Sequence, residues 1–312
     1  MWASCRSSST SRSELFGLST ELTSTWTTKR GTQAIQGVKA ITKPRPREPL
    51  DFSHLFPEKP IIGMIHMPPL PGAPNNRQSI KQLTKFALSE ADKLQDAGLD
   101  ACIVENVGDT PLFKEHLPPY TVAAMATVTE AVVDRTKMKV GVNMLRNACE
   151  EALSVAHIAG AQFIRCNILI GAYATDQGII EGCAARVARL RKELNSRVLV
   201  FGDVHVKHAY PIFNVEIEYA AQDLAERGGA DAVIVSGARS PIPPSFERVK
   251  KVRDAINKPV LIGSGISLAN VKQFYQRSDG LIIGEPDFKV CGVWGGPSDG
   301  KAYQRAVRTC RP

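Results

Sequence analysis

The run Pro60-Ile-Ile-Gly-Met-Ile-His66 is a short apolar segment with a glycine near its middle, and three later runs repeat that form. Four other apolar runs, each ending in a polar residue or a glycine, alternate with them along the chain. Eight β-like segments at the roughly 30-residue spacing of a strand plus a helix predict an α/β chain folded as a (β/α)₈, or TIM, barrel. The other seven runs are Asp100–Glu105, Met138–Met144, Gln162–Asn167, Val198–His205, Asp231–Ser236, Pro259–Gly265 and Asp279–Gly284.

The first 50 residues differ in composition from the rest of the chain. They contain sixteen Ser or Thr, eight Lys or Arg and three Glu, a composition typical of an organelle transit peptide. No methionine lies between Met1 and Met64, so a later translation start would remove part of the first strand. We therefore predict a disordered leader over residues 1–50 that directs import into mitochondria, and a single barrel domain over residues 51–312. The alternative is a disordered tail on a cytoplasmic protein.

Charge and cysteine content limit the classes of function. The net charge of +8 does not predict nucleic-acid binding, because +5 of it lies in the first 50 residues and the rest is spread over predicted helix faces. Seven cysteines without Cys-x-x-Cys spacing indicate a reducing compartment. No window approaches the roughly 18 apolar residues of a membrane span. We expect a small-molecule metabolite as partner, no nucleic acid and no membrane span, and we leave a homo-oligomer open.

Ionisable residues stand at the ends of several predicted strands, where barrel enzymes build their active sites. Asp203, His205 and Lys207 alternate with valines, so period two predicts that all three face one side of the fifth strand. These residue types suit proton transfer because each tunes the pKa of another; the alternative is a structural Asp203–Lys207 pair. Glu105 ends the second run and would need a partner if buried, and His66 ends the first. The predicted catalytic set is therefore His66, Glu105, Asp203, His205 and Lys207.

This set suits proton abstraction or hydrolysis, which leaves isomerase, lyase and hydrolase chemistry open. Asp203 or Glu105 would act as base, His205 would shuttle the proton, and Lys207 would polarise a carbonyl or hold an anionic group. His66, Glu105, Asp203 and His205 also have the ligand types of a divalent metal site. Their spacing follows from the fold rather than from a metal motif, so a divalent ion stays an open alternative and no other cofactor is predicted.

Neutral and small residues at the other strand ends predict the substrate-binding surface. Asn143 and Asn167 would orient the substrate by hydrogen bonds, the alternative being local bonds to the backbone. The insertion over residues 171–182 predicts a lid that carries Asp176. Glycines and serines after the sixth, seventh and eighth runs predict backbone amides for a phosphate group, which barrels commonly bind there. The predicted binding set is Asn143, Asn167, Asp176, His208, Ser236, Gly237, Ser264, Gly265 and Gly284.

Five motifs in order make the chain from about residue 51 to 290 resemble the BtpA/SgcQ family, whose barrels are similar to ribulose-phosphate-binding barrels. The resemblance implies that barrel fold. The N-terminal extension makes the chain similar to the animal members of the family. The resemblance implies no common reaction. The cyanobacterial member is associated with building up photosystem I, and another bacterial member lies among sugar-metabolism genes. The motifs are Gly63-Met-Ile-His-Met-Pro-Pro-Leu-Pro-Gly72, Glu105-Asn-Val-Gly-Asp-Thr-Pro111, Gly141-Val-Asn-Met-Leu-Arg-Asn147, Thr175-Asp-Gln-Gly-Ile-Ile-Glu-Gly182 and Asp203-Val-His-Val-Lys-His-Ala209.

The chain departs from the family pattern at the predicted phosphate loops. After the sixth run Pro241 stands where the family has Gly, and after the eighth run Glu285, followed by Pro286, stands where the family has Thr. An acid repels phosphate and a proline lacks an amide, so the phosphate site is retained only if Lys289 or Arg239 compensates.

Three function classes remain. We favour an enzyme acting on a small, phosphorylated or polyol-like metabolite, because a scaffold has no reason to bury a cluster of ionisable strand ends. The resemblance also allows a protein-assembly or stabilising factor, which would expose an apolar patch around Val290, Val293 and Trp294. The altered phosphate loops suggest a non-catalytic metabolite binder as the third class.

Overall fold

Eight parallel strands close into a barrel. The computed structural model describes residues 51–239, 241–292 and 295–311; the predicted leader, together with Val293 and Trp294, lies outside these ranges. The barrel strands are β1 Ile61–His66, β2 Ala101–Glu105, β3 Lys139–Asn143, β4 Phe163–Cys166, β7 Leu199–Val204, β9 Ala232–Val235, β10 Val260–Ile262 and β11 Gly280–Ile283. Each strand pairs with the next barrel strand in the chain, and β11 returns to β1. This closure confirms the predicted TIM barrel.

Helices connect the strands and cover the outside of the barrel. Helix α2 begins at a capping box: the Ser79 hydroxyl accepts from the Gln82 amide, and the Gln82 side chain accepts in return from the Ser79 amide. None of the described helices is both long enough and apolar enough to cross a bilayer. The helices are α1 Phe52–Leu55, α2 Ile80–Asp96, α3 Pro119–Arg135, α4 Cys149–Ala159, α5 Ala184–Glu193, α6 Ile217–Gln222, α7 Phe246–Ala255, α8 Val271–Arg277 and α9 Gly300–Cys310.

The insertion between β4 and α5 forms a β-hairpin. Its strands, β5 Ala172–Thr175 and β6 Gly178–Glu181, are antiparallel, and the short strand β8 Tyr210–Pro211 adds to β5. Tyr173 and Ile180 on its buried face pack with Ile168 and Val206 in a small apolar cluster. This cluster fixes the hairpin above the ends of β4 and β7, the position expected for the predicted lid.

Alternate residues along a strand pack into two separate hydrophobic cores, one between the strands and the helices and one inside the barrel. In β1, Ile61 and Ile65 pack against the helix layer, whereas Ile62 and Met64 belong to the cluster inside the barrel. Aromatic rings fill the amino-terminal half of that interior. The Phe163 and Phe201 rings stack with centroids 4.7 Å apart, and Phe52 of α1 lies 5.6 Å from Phe201. The carboxyl ends of the strands are therefore the part of the interior left to polar residues.

The mid-strand glycine at position 141 makes room for one of these rings. A Cβ atom on Gly141 would lie 2.3 Å from the Phe163 ring, which is fully buried and stacked. Gly141→Ala is therefore expected to lower the free energy of unfolding by about 1–3 kcal/mol, the usual cost of overpacking a core. Urea denaturation measures this. The control is Gly300→Ala, because a Cβ there meets no atom closer than 3.6 Å, and an equal loss in both variants would contradict the close approach.

Candidate active site

A cavity of about 820 Å³ opens at the carboxyl ends of the barrel strands, a volume in the range of small-molecule sites. Seven of the predicted site residues line it: His66, Glu105, Asn167, Asp176, Lys207, His208 and Gly284. The other seven lie outside its wall: Asn143, Asp203, His205, Ser236, Gly237, Ser264 and Gly265. Its position at the strand ends is where barrel enzymes carry their chemistry.

His66, Glu105 and Asn143 lie side by side because they are in register on three adjacent strands. The Asn143 Nδ2 atom donates to Glu105 Oε2 at 2.5 Å, and His66 Nε2 lies 3.6 Å from Glu105 Oε1. All three side chains are buried. Burial lowers the pKa of His66 well below its ordinary value, and Lys289, Lys207 and Arg165 add to the effect. The imidazole beside the Glu105 carboxylate is therefore neutral at physiological pH.

Asp203 pairs with Arg165, a residue for which the sequence pattern predicted no role. Arg165 donates from Nε to Asp203 Oδ2 at 2.8 Å and from Nη2 to Oδ1 at 2.9 Å, and both side chains are almost completely buried. Both carboxylate oxygens are therefore engaged, which disfavours the prediction of Asp203 as the base. Arg165 follows Phe163 by two residues and so shares the inward face of β4 with it. This period of two was the sequence signal that could have placed Arg165 inside the barrel.

The predicted alternation of Asp203, His205 and Lys207 on one strand face is wrong. Strand β7 ends at Val204, and His205 has a left-handed backbone with φ of 47°, which breaks the period of two. The His205 ring packs edge-on to Tyr173 of the hairpin and does not line the cavity. Lys207 does reach the cavity, where burial and then the neighbouring Arg165 lower its pKa.

Several cationic side chains line the cavity. Arg146, Lys207 and Arg239 contribute to its wall, and Arg146 also donates from Nη2 to the Lys207 carbonyl at 2.7 Å. His208 lies on the same wall, but burial and these cations lower the pKa of its imidazole. Arg146 lies three residues beyond β3, within a motif that carries the family resemblance and for which no chemical role was predicted. Asn167 is buried in the same wall, and its Oδ1 atom finds no hydrogen-bond partner among the described residues. Together these groups can bind an anionic ligand that also donates a hydrogen bond.

In the predicted phosphate loops, Ser264 and Gly265 bind the Glu285 carboxylate. The Gly265 amide donates to Glu285 Oε1 at 3.0 Å, and the Ser264 hydroxyl donates to the same oxygen at 3.4 Å. At Gly237 a Cβ atom would lie 1.9 Å from the Ile242 carbonyl oxygen, so the chain after β9 lies against that glycine. The Gly265 amide is therefore not free to bind a phosphate, and Ser236 is buried.

Lys289 and Arg239 were the residues considered as replacement cations for the altered phosphate loops, and Arg239 reaches the cavity whereas Lys289 does not. Lys289 Nζ donates to the Met64 carbonyl and the Ser298 hydroxyl, both at 3.3 Å, and its side chain is buried away from the cavity. Arg239 lines the cavity and donates to the Tyr210 hydroxyl at 3.0 Å.

The four residues considered for a divalent metal do not converge. Within the described ranges, one group of three or more His, Cys, Asp or Glu side chains has ligand atoms within 4.8 Å of one another, and it consists of cysteines. It contains none of His66, Glu105, Asp203 and His205. The pairing of Asp203 with Arg165 and the turn at His205 account for this.

Sequence comparisons show which proteins this chain is similar to. The model of the BtpA family matches residues 57–309. An uncharacterised protein of Methanocaldococcus jannaschii is 43% identical over 230 residues, covering 74% of this chain and 87% of that protein. The photosystem I biogenesis protein BtpA of Synechocystis is 39% identical, covering 74% and 81%. An uncharacterised mitochondrial protein of Caenorhabditis elegans is 36% identical, covering 75% and 86%.

Solved structures with low sequence identity share the fold. Tryptophan synthase from Mycobacterium tuberculosis superposes with a TM-score of 0.54 at 16% identity, covering 82% of this chain and 93% of that chain. A structure titled native KDPGal superposes with a TM-score of 0.51 at 15% identity, covering 81% and 94%. These similarities concern the barrel alone.

Proposed function

The chain belongs to the BtpA family, and on that premise we propose that it is an enzyme that performs acid/base chemistry on a small anionic metabolite at the mouth of its barrel. The observation that carries the proposal is the buried row of His66, Glu105 and Asn143, of which His66 and Glu105 line the 820 Å³ cavity and Asn143 lies behind them. Burying a carboxylate costs several kcal/mol unless it is well partnered. A site that holds one beside a neutral imidazole suits proton transfer.

Each side chain has a role in this proposal. Glu105 removes a proton from the substrate, with Asn143 fixing the orientation of its carboxylate. His66, neutral and 3.6 Å away, returns or relays the proton. Lys207 and Arg146 bind the anionic group or polarise a carbonyl beside the carbon that loses the proton. Isomerase and lyase reactions that proceed through proton abstraction begin in this way, and in a hydrolysis the proton removed by Glu105 would come from the attacking water.

The charge distribution supports a substrate bound in one direction. Arg146, Lys207 and Arg239 attract its anionic end, whether phosphate or carboxylate. Between the loops after β10 and β11, the Glu285 carboxylate occupies the Gly265 amide and lies on the cavity wall. Hydroxyl groups of a polyol-like substrate would then lie toward Asn167 and Glu285, both of which accept hydrogen bonds.

Untargeted metabolite profiling tests the proposal and identifies the substrate in the same experiment. A small-molecule extract is incubated with the full-length protein and, separately, with the Glu105→Gln variant, and compounds are followed by mass spectrometry. We expect at least one anionic compound to disappear with the wild-type protein and to persist with the variant. A set of changes that is identical for the two proteins would contradict the role of Glu105, and no change with either would contradict an enzyme.

An assembly factor is the second candidate, because the Synechocystis relative is named a photosystem I biogenesis protein. Ile212 and Phe213, next to β8, are 44% and 74% exposed and could contact a protein partner. Within the predicted apolar patch, Val290 is exposed. The double variant Ile212→Ser/Phe213→Ser separates the two candidates: it should leave metabolite turnover unchanged in an enzyme and abolish partner binding in an assembly factor.

We infer a mitochondrial location, as for the Caenorhabditis elegans relative that is named mitochondrial. The leader composition supports this, because residues 1–50 are rich in Ser, Thr and Arg and contain three acids. Residues 1–50 fused to a fluorescent reporter should therefore colocalise with a mitochondrial marker. The matched control carries Arg6→Glu and Arg12→Glu and should remain diffuse. A diffuse wild-type fusion would favour a cytoplasmic protein with a disordered tail.

A further inference from the structure

Three cysteines that are far apart in the sequence meet outside the active-site cavity. Cys149 is the first residue of α4, Cys166 is the last residue of β4, and Cys183 is the N-cap residue of α5. Their three Sγ atoms all lie within 4.8 Å of one another, and all three side chains are buried. The separation of seventeen residues between successive members matches no metal-binding sequence motif, so only the fold brings the sulfurs together.

The helix geometry would offset part of the negative charge of three metal-bound thiolates. Cys149 and Cys183 stand at the amino ends of two helices, where the helix dipole stabilises negative charge. The Cys149 thiol donates to Asn147 Oδ1 at 3.4 Å, and the Cys183 thiol donates to the Ile168 carbonyl at 3.6 Å. Cys102 provides the comparison: it is equally buried in β2 but does not belong to the cluster.

The distances suit three sulfur ligands around one ion. A metal–sulfur bond of about 2.3 Å places three sulfurs in a plane around an ion about 4.0 Å from one another, so the observed cluster needs only a small contraction. The cluster of described residues contains no carboxylate or imidazole, and its members are at most 3% exposed. Soft thiolates bind both zinc and monovalent copper, but structural zinc takes four ligands, so a cluster of three favours copper.

We propose that Cys149, Cys166 and Cys183 form a buried three-coordinate site for a monovalent copper ion. The ion forms three Cu–S bonds, and each thiol that ligates it releases its proton to solvent, with no change of oxidation state. The two helix amino ends offset the negative charge of the three thiolates.

The site would control the hairpin that overhangs the cavity. Cys166 and Cys183 stand immediately before and after the segment that contains β5 and β6, so the ion would join the two ends of the insertion. The tip of that hairpin brings Asp176 and Gln177 to the cavity wall. Copper would therefore fix the base of the lid without contacting the substrate.

Anaerobic competition with a chromophoric copper(I) chelator tests the site. The full-length protein carries Cys5→Ser, Cys291→Ser and Cys310→Ser, which remove the accessible or terminal thiols that could bind copper by themselves. We expect this protein to withdraw one copper(I) ion per chain and to show a higher midpoint of thermal unfolding with the ion bound. Adding Cys183→Ala should weaken copper binding by at least about 100-fold, since even ligand-supporting residues are worth 10–100-fold. Adding Cys102→Ala instead should leave the affinity unchanged.

X-ray absorption of the copper-loaded parent protein provides a readout that does not depend on a variant folding. Three sulfur neighbours at a single distance support the site. Nitrogen or oxygen neighbours, equal affinity in the Cys183→Ala and Cys102→Ala proteins, or no withdrawal of copper would each overturn the proposal. A stronger preference for zinc in a parallel competition would overturn the choice of copper.

Discussion

The Arg165→Met variant is expected to lose about 3–5 kcal/mol of unfolding free energy, the cost of leaving a buried carboxylate without its cation. Arg165 and Asp203 form two short hydrogen bonds in the barrel interior, with 4% and 0% of their side chains exposed. Methionine keeps much of the volume but donates no hydrogen bond, so the Asp203 carboxylate would have to be protonated or hydrated on folding. Chemical denaturation at neutral pH measures the loss.

An exposed ion pair in the same chain is the matched control. Arg135 binds Asp92 through the same two guanidinium nitrogens at 2.9 and 3.0 Å, but their side chains are 58% and 38% exposed. Arg135→Met should therefore cost only about 0.2–1 kcal/mol. The double variant Arg165→Met/Asp203→Leu should recover much of the stability lost in Arg165→Met, because no charge is left buried. Similar losses in the Arg165→Met and Arg135→Met proteins would show that the interior pair is not desolvated.

The Glu105→Gln variant is expected to lower kcat/KM by about 10²- to 10⁴-fold on the substrate found by profiling, the usual contribution of a general acid or base. Glutamine keeps the shape of the side chain, and its amide oxygen still accepts a hydrogen bond from Asn143 Nδ2. The variant therefore removes the basic carboxylate while the row of three in-register residues stays in place. Steady-state kinetics and a thermal unfolding curve should be recorded together.

Glu130→Gln is the control for this variant, since Glu130 is exposed on α3 and its substitution should change neither rate nor stability. Asp203→Asn tests the other carboxylate. Because Asp203 binds Arg165 with both oxygens, its loss of activity should follow its loss of stability. A Glu105→Gln protein with a rate close to wild type would remove Glu105 from the mechanism, and an Asp203→Asn protein that is stable but inactive would restore Asp203 as the base.

The sequence was sufficient for the barrel and for part of the site. Apolar runs separated by helices predict strand order, and parallel register then places strand-end residues such as His66, Glu105 and Asn143 next to one another. The left-handed backbone at His205 could not be anticipated from Val-His-Val-Lys, which reads as a continuing strand. The contact of Glu285 with the Gly265 amide also depends on how two loops approach in space, which no local pattern encodes.

Arg165 was within reach of sequence reasoning, because it follows the buried Phe163 by two residues and so shares its face of β4. The proximity of Cys149, Cys166 and Cys183 could not be predicted from the sequence, because two of them lie at the starts of helices and the third at the end of a strand. The roles proposed for the cavity residues remain predictions until a substrate is identified.

Glu285 makes the charge of the cavity wall asymmetric. One of its oxygens is taken by Gly265 and Ser264, while the other has no partner among the described residues and belongs to a side chain on the cavity wall. Arg146 and Lys207 on the same wall carry the opposite charge. A metabolite with an anion at one end and hydroxyl or amino groups at the other therefore fits in one orientation, whereas a bisphosphate would set one phosphate against Glu285. Under the proposed function, the site would in this way distinguish positional isomers that have the same composition and size.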